Sequence, residues 1–100
     1  MVRHIVIFKL KEFATPTEKL AKMQEIKEKL EALINKISVL KYIHVGFNIN
    51  PAETWDVILT TEMNTLEDVN TYATHPEHMA VSKGIIGPVK VDRACVDYEY

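Results

Sequence analysis

Val2–Leu10, VRHIVIFKL, combines β-branched and aromatic residues in a pattern that is typical of a β-strand. Alternation along a strand gives it two faces, with His4, Val6 and Phe8 on one and Ile5 and Ile7 on the other. A sheet with helices on one side and water on the other would have one apolar and one polar face. Both faces of this strand are apolar, so the sequence predicts that both sides of its sheet are covered.

The first helix is predicted from a start signal and a long apolar period. Thr15 is a suitable N-cap, Pro16 suits the first helical position, and Glu18 completes a capping box. Apolar residues then recur at helical spacing, with lysine and glutamate between them, to about Lys36. We therefore expect one amphipathic helix from Pro16 to about Lys36.

The remaining elements complete the order β-α-β-β-α-β. Strands are predicted over residues 42–49, 55–63 and 89–100, and Trp55 is expected on the helix-facing side of its strand. A second helical segment opens at Asn64–Glu67, restarts at Pro76 and ends near Gly84, and residues 84–88 are expected to form a loop. This order predicts an α+β, ferredoxin-like βαββαβ domain over residues 1–100, with a four-stranded antiparallel sheet and both helices on one side.

The outer face of this sheet would carry Ile5, Ile7 and Ile58. Leaving three such side chains in water would forgo about 1.5–3 kcal/mol each. A second copy packed sheet to sheet is the simplest cover, so we expect a homodimer; the alternative is a monomer with an apolar patch.

The bulk composition excludes several classes of partner. A formal net charge of -2 gives no electrostatic reason to expect nucleic acid or an anionic membrane surface. No apolar run approaches the roughly 20 residues of a membrane helix, and the N-terminal stretch lacks the features of a signal peptide. The single cysteine, Cys95, has no intrachain partner, which favours a reducing, cytoplasmic location.

Three segments together resemble the stress-responsive A/B barrel (Dabb) family: Val2–Lys9, Tyr72–His78 (YATHPEH), and Val96–Tyr98 (VDY). The resemblance covers nearly the whole chain and implies a dimeric α+β barrel. The family includes a plant polyketide cyclase that forms olivetolic acid without metal or cofactor. By that resemblance Tyr72 and His78 match its catalytic tyrosine and histidine, and His4 matches a pocket histidine. Family membership alone does not establish a reaction.

The expected site is a cavity between sheet and helices, lined by His4, Val6, Phe8, Leu59, Tyr72 and His78. The expected roles are His78 as general base or acid and Tyr72 as a hydrogen-bond donor to a developing enolate. Alternatively, His78 only caps or staples its short helix. Arg93 departs from the cyclase, which has an apolar pocket residue there. A buried guanidinium needs an anionic partner, so we expect a small organic acid or aromatic ligand instead of a long alkyl-resorcinol.

No metal or cofactor is predicted. His75 and His78 have a spacing that two metal ligands can have, but no third ligand lies at a persuasive distance along the chain. His75, which precedes a proline, is expected to satisfy the start of the following helix. His44 has no evident partner, and Cys95 is expected to be a small buried residue without a neighbouring base.

Three functions remain open at this point. The chain is either a cofactor-free acid–base enzyme or ligand-handling protein, a structural, stress-linked dimer, or a cofactor-free barrel monooxygenase. The first two are distinguished by whether His78 and Tyr72 face a cavity of a few hundred Å³ or a solid core.

Overall fold

The computed structural model describes residues 1–100. Four strands are formed by β1 (Val2–Leu10), β2 (Tyr42–Phe47), β3 (Val57–Met63) and β4 (Lys90–Glu99). The helices are α1 (Pro16–Glu31), which a 3₁₀ turn extends through Ala32–Asn35, then α2 (Leu66–Thr74) and α3 (Pro76–Val81), which a π turn continues through Ser82–Ile86. No helix combines the length and the apolar character that a membrane-crossing segment needs.

The strands form one antiparallel sheet in the order β2-β3-β1-β4. The predicted ferredoxin-like α+β fold is therefore confirmed. The register places His4 of β1 between Thr61 of β3 and Asp97 of β4, so residues distant in the chain meet on one face of the sheet.

Burial alternates along β1, as the strand pattern predicted. Its helix-facing residues are buried and its outward-facing residues are half-buried. The opposite face of the sheet stays partly exposed, with Ile58, Val96 and Tyr98 exposed by 41%, 61% and 39%. A 19-residue core lies between the other face and the helices, centred on α1 and β3 side chains such as Leu30 and Leu59.

Local capping explains where the helices begin. Thr15 Oγ1 accepts from the Glu18 N–H at 3.2 Å, which confirms the predicted start of α1. In α2 the cap is Thr65, whose Oγ1 accepts from the Asp68 N–H at 3.1 Å, one residue later than the glutamate spacing indicated. The expectation that His75 satisfies the start of the following helix is confirmed, because its Nδ1 accepts from the Glu77 N–H at 3.1 Å at the start of α3.

Two predicted strands are shorter than expected at the turn between them. β2 ends at Phe47 because the Asn48 side chain accepts from the Asn50 N–H at 2.9 Å and turns the chain. β3 begins at Val57, since the Asp56 carboxylate replaces a main-chain carbonyl as the acceptor for the Leu10 N–H, at 2.7 Å. Trp55 therefore lies outside the strand and is only half-buried.

The prediction of a loop over residues 84–88 is wrong. The chain stays helical through Ile86 as a π turn, closed by the Gly87 N–H donating to Ser82 O at 2.8 Å. The wide turn carries Ile86 into the core, where it is 3% exposed. Gly87 is required there, because a Cβ at this position would lie 3.0 Å from Lys83 O and 3.2 Å from Ser82 O. The first helix likewise tightens into a 3₁₀ turn after Glu31 instead of continuing unchanged to Lys36.

Candidate functional site

A small cavity of about 100 Å³ lies between the helix-facing side of the sheet and the helices. Strands β1, β3 and β4 form its floor, and α1, α2, α3 and the π turn enclose it. Its lining residues combine an apolar floor with a few polar groups: His4, Val6, Phe8, Leu30, Leu59, Ala73, His78, Ser82, Ile86, Lys90 and Arg93.

His78 is held in this cavity by the break between α2 and α3. The break at His75 and Pro76 turns α3 back, so that His78 Nδ1 lies 2.8 Å from the Ala73 carbonyl oxygen. A carbonyl can only accept, so Nδ1 carries the proton and the lone pair of the neutral ring is on Nε2. Burial lowers the pKa of His78, and the nearby charges of His4 and Arg93 lower it further, against the opposing effect of the Ala73 hydrogen bond. The neutral imidazole is therefore favoured.

Tyr72 lies beside His78, but the expectation that it lines the cavity is wrong. Its side chain is fully buried, with its ring centroid 4.6 Å from that of His78 and 6.3 Å from that of His4. Its hydroxyl has no hydrogen-bond partner, and burial raises the pKa of the phenol. Tyr72 is thus a neutral, unpartnered donor behind the cavity wall.

His4 is buried and is oriented by an aspartate that the sequence reasoning did not single out. Its Nδ1 is hydrogen-bonded to Asp97 Oδ1, and Cys95 Sγ lies 3.4 Å from the same nitrogen. The expectation for Cys95 is therefore wrong in two respects, because this side chain is only half-buried and has an imidazole beside it. Burial, and then the charge of Asp97, raise the pKa of its thiol, so the thiolate is not favoured.

Arg93 lines the cavity from the edge strand β4, but the expectation that its guanidinium is buried is wrong. Only one strand neighbours β4, which leaves Arg93 exposed. Neither Arg93 nor Lys90, which lines the same cavity, takes part in a salt bridge; the structure's six ion pairs involve other residues. The open side of the cavity therefore carries two cations without protein counter-ions.

The structure thus brings most of the sequence-predicted site residues to one cavity and leaves others elsewhere. The residues it brings together are His4, Val6, Phe8, Leu59, His78 and Arg93. His44 lies on the opposite face of the sheet, since it pairs with Thr60 in the register of β2 and β3. His75 caps α3. The sequence analysis did not identify Asp97, Lys90 or the Ala73 carbonyl as parts of the site. For Asp97 the only local signal was strand alternation, which places it on the same face as Cys95.

Metal-ligand atoms cluster in one place in the structure. His4, Cys95 and Asp97 each offer a ligand atom, and these atoms all lie within 4.8 Å of one another. His75 and His78, whose spacing was noted in the sequence, each commit Nδ1 to the main chain instead.

Comparison with known proteins identifies relatives along the whole chain. The family model of the stress responsive A/B barrel domain (Dabb) matches residues 2–100. A dimeric protein of unknown function with a ferredoxin-like fold from Bacteroides fragilis is 52% identical, with a TM-score of 0.92 over 99% of this chain and 95% of that one.

Two plant proteins are more distant. A stress-response A/B barrel domain-containing protein of Arabidopsis thaliana is 28% identical across 98% of this chain, which spans 36% of the length of that relative. Hydroxynitrile lyase from Passiflora edulis is 18% identical, with a TM-score of 0.77 over 97% of this chain and 90% of that one, a likeness that shows the fold alone. From the family match and the shared fold, the chain belongs to the stress-responsive A/B barrel domain (Dabb) family.

Proposed function

We propose that this protein is a homodimer in which each subunit performs cofactor-free acid–base chemistry on a small organic acid, with His78 as the base. The observation that carries the proposal is the His78 imidazole, which lines a cavity and has its Nδ1–H committed to the Ala73 carbonyl. Burial lowers its pKa, so Nε2 offers a lone pair at neutral pH.

The charges around the cavity support an anionic substrate. Lys90 and Arg93 line it without protein counter-ions, and a carboxylate is a geometric match for a guanidinium. In the proposed step, His78 Nε2 takes a proton from a carbon next to the substrate carbonyl. The product is an enolate beside an imidazolium, and the proton is later returned. The neutral hydroxyl of Tyr72, which has no partner and lies behind the cavity wall, is the proposed donor to the enolate oxygen once the cavity widens to admit the substrate.

The proposed dimer rests on two observations. The Bacteroides fragilis relative at 52% identity is described as dimeric. The outer face of this sheet exposes Ile58 and Val96, and a second sheet would cover them. A single free cysteine, Cys95, agrees with a reducing compartment, so the cytoplasm remains the proposed location.

One observation favours a second candidate, a non-enzymatic structural or stress-linked dimer. The cavity of about 100 Å³ is smaller than the few hundred Å³ expected for a ligand site. In that case His78 serves the packing of α3. For a cofactor-free monooxygenase no residue in the cavity provides a specific argument.

The test is a ligand titration followed by NMR of the histidine rings, with acetoacetate and benzoate as probes. We expect both probes to shift the His78 resonances in a saturable way, and Arg93→Gln to weaken the affinity by roughly 2- to 5-fold, because Arg93 is exposed. His44, on the opposite face, serves as the internal control and should not shift. If neither acid shifts the His78 resonances, the structural dimer is the better interpretation.

A further inference from the structure

We propose that His4, Cys95 and Asp97 form a binding site for a divalent transition metal ion of the Zn²⁺ class. The site is separate from the His78 base, and this proposal does not depend on the proposed function. It is assigned from three donor atoms that converge from two neighbouring strands.

The donor set has the chemistry that zinc prefers. An imidazole nitrogen, a thiolate sulfur and a carboxylate oxygen are the three usual protein ligands of Zn²⁺, whereas Mg²⁺ and Ca²⁺ select oxygen alone. Three protein ligands also leave a fourth tetrahedral position for water. The mixed set of His4, Cys95 and Asp97 therefore points to zinc or its close neighbours among the transition metals.

The distances fit one small ion. Around a tetrahedral Zn²⁺ with ordinary bond lengths, nitrogen and sulfur ligands lie roughly 3.5 Å apart. Cys95 Sγ and His4 Nδ1 are 3.4 Å apart, and all three donor atoms lie within 4.8 Å of one another. The carboxylate of Asp97, hydrogen-bonded to His4 Nδ1, must move back to admit the ion; its side chain is 34% exposed and has room to do so.

The sheet holds these donors in place. His4 is directly opposite Asp97 in the β1–β4 register, and Cys95 lies two residues earlier on the same face of β4. Rigid paired strands give a metal site more precise geometry than loops would. Asp97 also borders an open groove with Asn64 and Glu99, which gives the ion a path from solvent.

Metal binding would change what His4 presents to the cavity. Without the ion, His4 Nδ1 shares a proton with Asp97, and the ring lines the cavity. A metal on Nδ1 displaces that proton, so a neutral metal-bound ring must carry its proton on Nε2. The ion thus fixes Nε2 of His4 as a hydrogen-bond donor.

The test is titration of the full chain with Co²⁺, whose spectrum reports its ligands. We expect one equivalent to give visible bands of tetrahedral intensity and a near-ultraviolet thiolate-to-cobalt charge-transfer band, and Zn²⁺ to displace both. Cys95→Ser should abolish the charge-transfer band, and Asp97→Asn should weaken Co²⁺ binding more than about tenfold, because loss of a mere outer-shell partner already costs about 10–100-fold. Circular dichroism checks that each variant is folded.

The matched control is His75→Ala, which removes a histidine that caps α3 and lies outside the cluster of His4, Cys95 and Asp97. It should bind Co²⁺ as the parent chain does. The proposal is overturned if Co²⁺ gives no thiolate band, if Cys95→Ser binds unchanged, or if His75→Ala abolishes binding.

Discussion

At the scale of single residues, two opposing effects act on the proton of His78. Removal from water disfavours the imidazolium, while the Ala73 carbonyl favours it by accepting from Nδ1. Burial is the larger effect, so the pKa of His78 in the folded protein lies below its ordinary value of 6.5. This is the property that a general base working near neutral pH requires.

That pKa shift has a consequence for stability. Because the folded pKa is depressed, the unfolded chain binds the proton first as the pH falls through 6.5, and the free energy of unfolding decreases. Above 6.5 both states are neutral at His78 and its contribution is fully present. We predict that urea unfolding at about pH 7.5 and about pH 5.5 shows a smaller loss of stability for His78→Gln than for the parent chain. An equal or larger loss in the variant would contradict the assigned direction.

The unpartnered hydroxyl of Tyr72 gives a second prediction. A buried polar group without a hydrogen bond costs about 1–3 kcal/mol, so Tyr72→Phe should raise the free energy of unfolding by roughly 1 kcal/mol. The control is Thr71→Val, which removes an exposed hydroxyl on α2 that donates to the Glu67 carbonyl oxygen at 3.2 Å and should change stability by under about 0.5 kcal/mol. Chemical denaturation measures both. Destabilisation by Tyr72→Phe would show that the hydroxyl has a partner in solution.

At the scale of elements, the helical segment after β3 builds the cavity wall. Its break at His75 and Pro76 aims His78 inward, and its π turn brings Ile86 into the lining of the cavity. The wide turn needs a residue without a Cβ at its end, where the chain passes close to two carbonyl oxygens. The geometry of the site therefore depends on one glycine outside it.

Two glycines three residues apart make a matched test of this dependence. Gly87→Ala would place a Cβ 3.0 Å from the Lys83 carbonyl oxygen, a backbone atom, and should cost about 1–3 kcal/mol of stability. A Cβ at Gly84 meets nothing within 4 Å, so Gly84→Ala should be neutral or stabilising by up to about 1 kcal/mol. Thermal unfolding of the two variants measures the difference. Equal effects would contradict the π turn.

Local signals explain what could be predicted from the sequence at this scale. The cap at Thr15, the cap at His75 and the alternation in β1 involve neighbours in the chain, so their pattern is visible before folding. The prediction of a loop at residues 84–88 was wrong because the π turn is stabilised by the burial of Ile86, which is a tertiary effect. The same holds for Arg93, whose exposure follows from the edge position of β4.

Much of the candidate site depends on contacts between distant parts of the chain. His4 and Asp97 are 93 residues apart, and only the β1–β4 register brings them together. Alternation fixes which face of the sheet a side chain occupies, but it does not show which residue of a distant strand lies opposite, so His4 could be identified from the sequence without its partner. His78 was found because the resemblance to the family supplied it, and its hydrogen bond to the Ala73 carbonyl required the structure.

At the scale of the whole molecule, the two faces of the sheet have different roles. One face carries the core and the cavity, and the other exposes apolar side chains that a single subunit leaves partly in water. A dimer through the outer face would leave the cavity and the His4 cluster accessible, since both lie on the helix-facing side.

Introducing one charge tests whether the outer face forms the dimer interface. Changing Ile58, which is 41% exposed on that face, to Asp should reduce the particle mass from twice the 11.5 kDa chain mass to the single-chain mass. Light scattering measures the mass directly. Ile49→Asp is the control, because Ile49 is 95% exposed in a turn and should leave the assembly unchanged. A monomeric parent chain would contradict the proposed dimer.

The proposed function depends most on His78 being a neutral base whose free nitrogen is Nε2, and a nitrogen-resolved NMR titration of the histidine rings observes this property itself. Two-bond ¹⁵N–¹H spectra distinguish the two tautomers, and a pH series gives the midpoint. We predict the Nδ1–H tautomer for His78 and a midpoint below 6.5. The Nε2–H tautomer, or a midpoint at or above 6.5, would show that His78 is not the base proposed here.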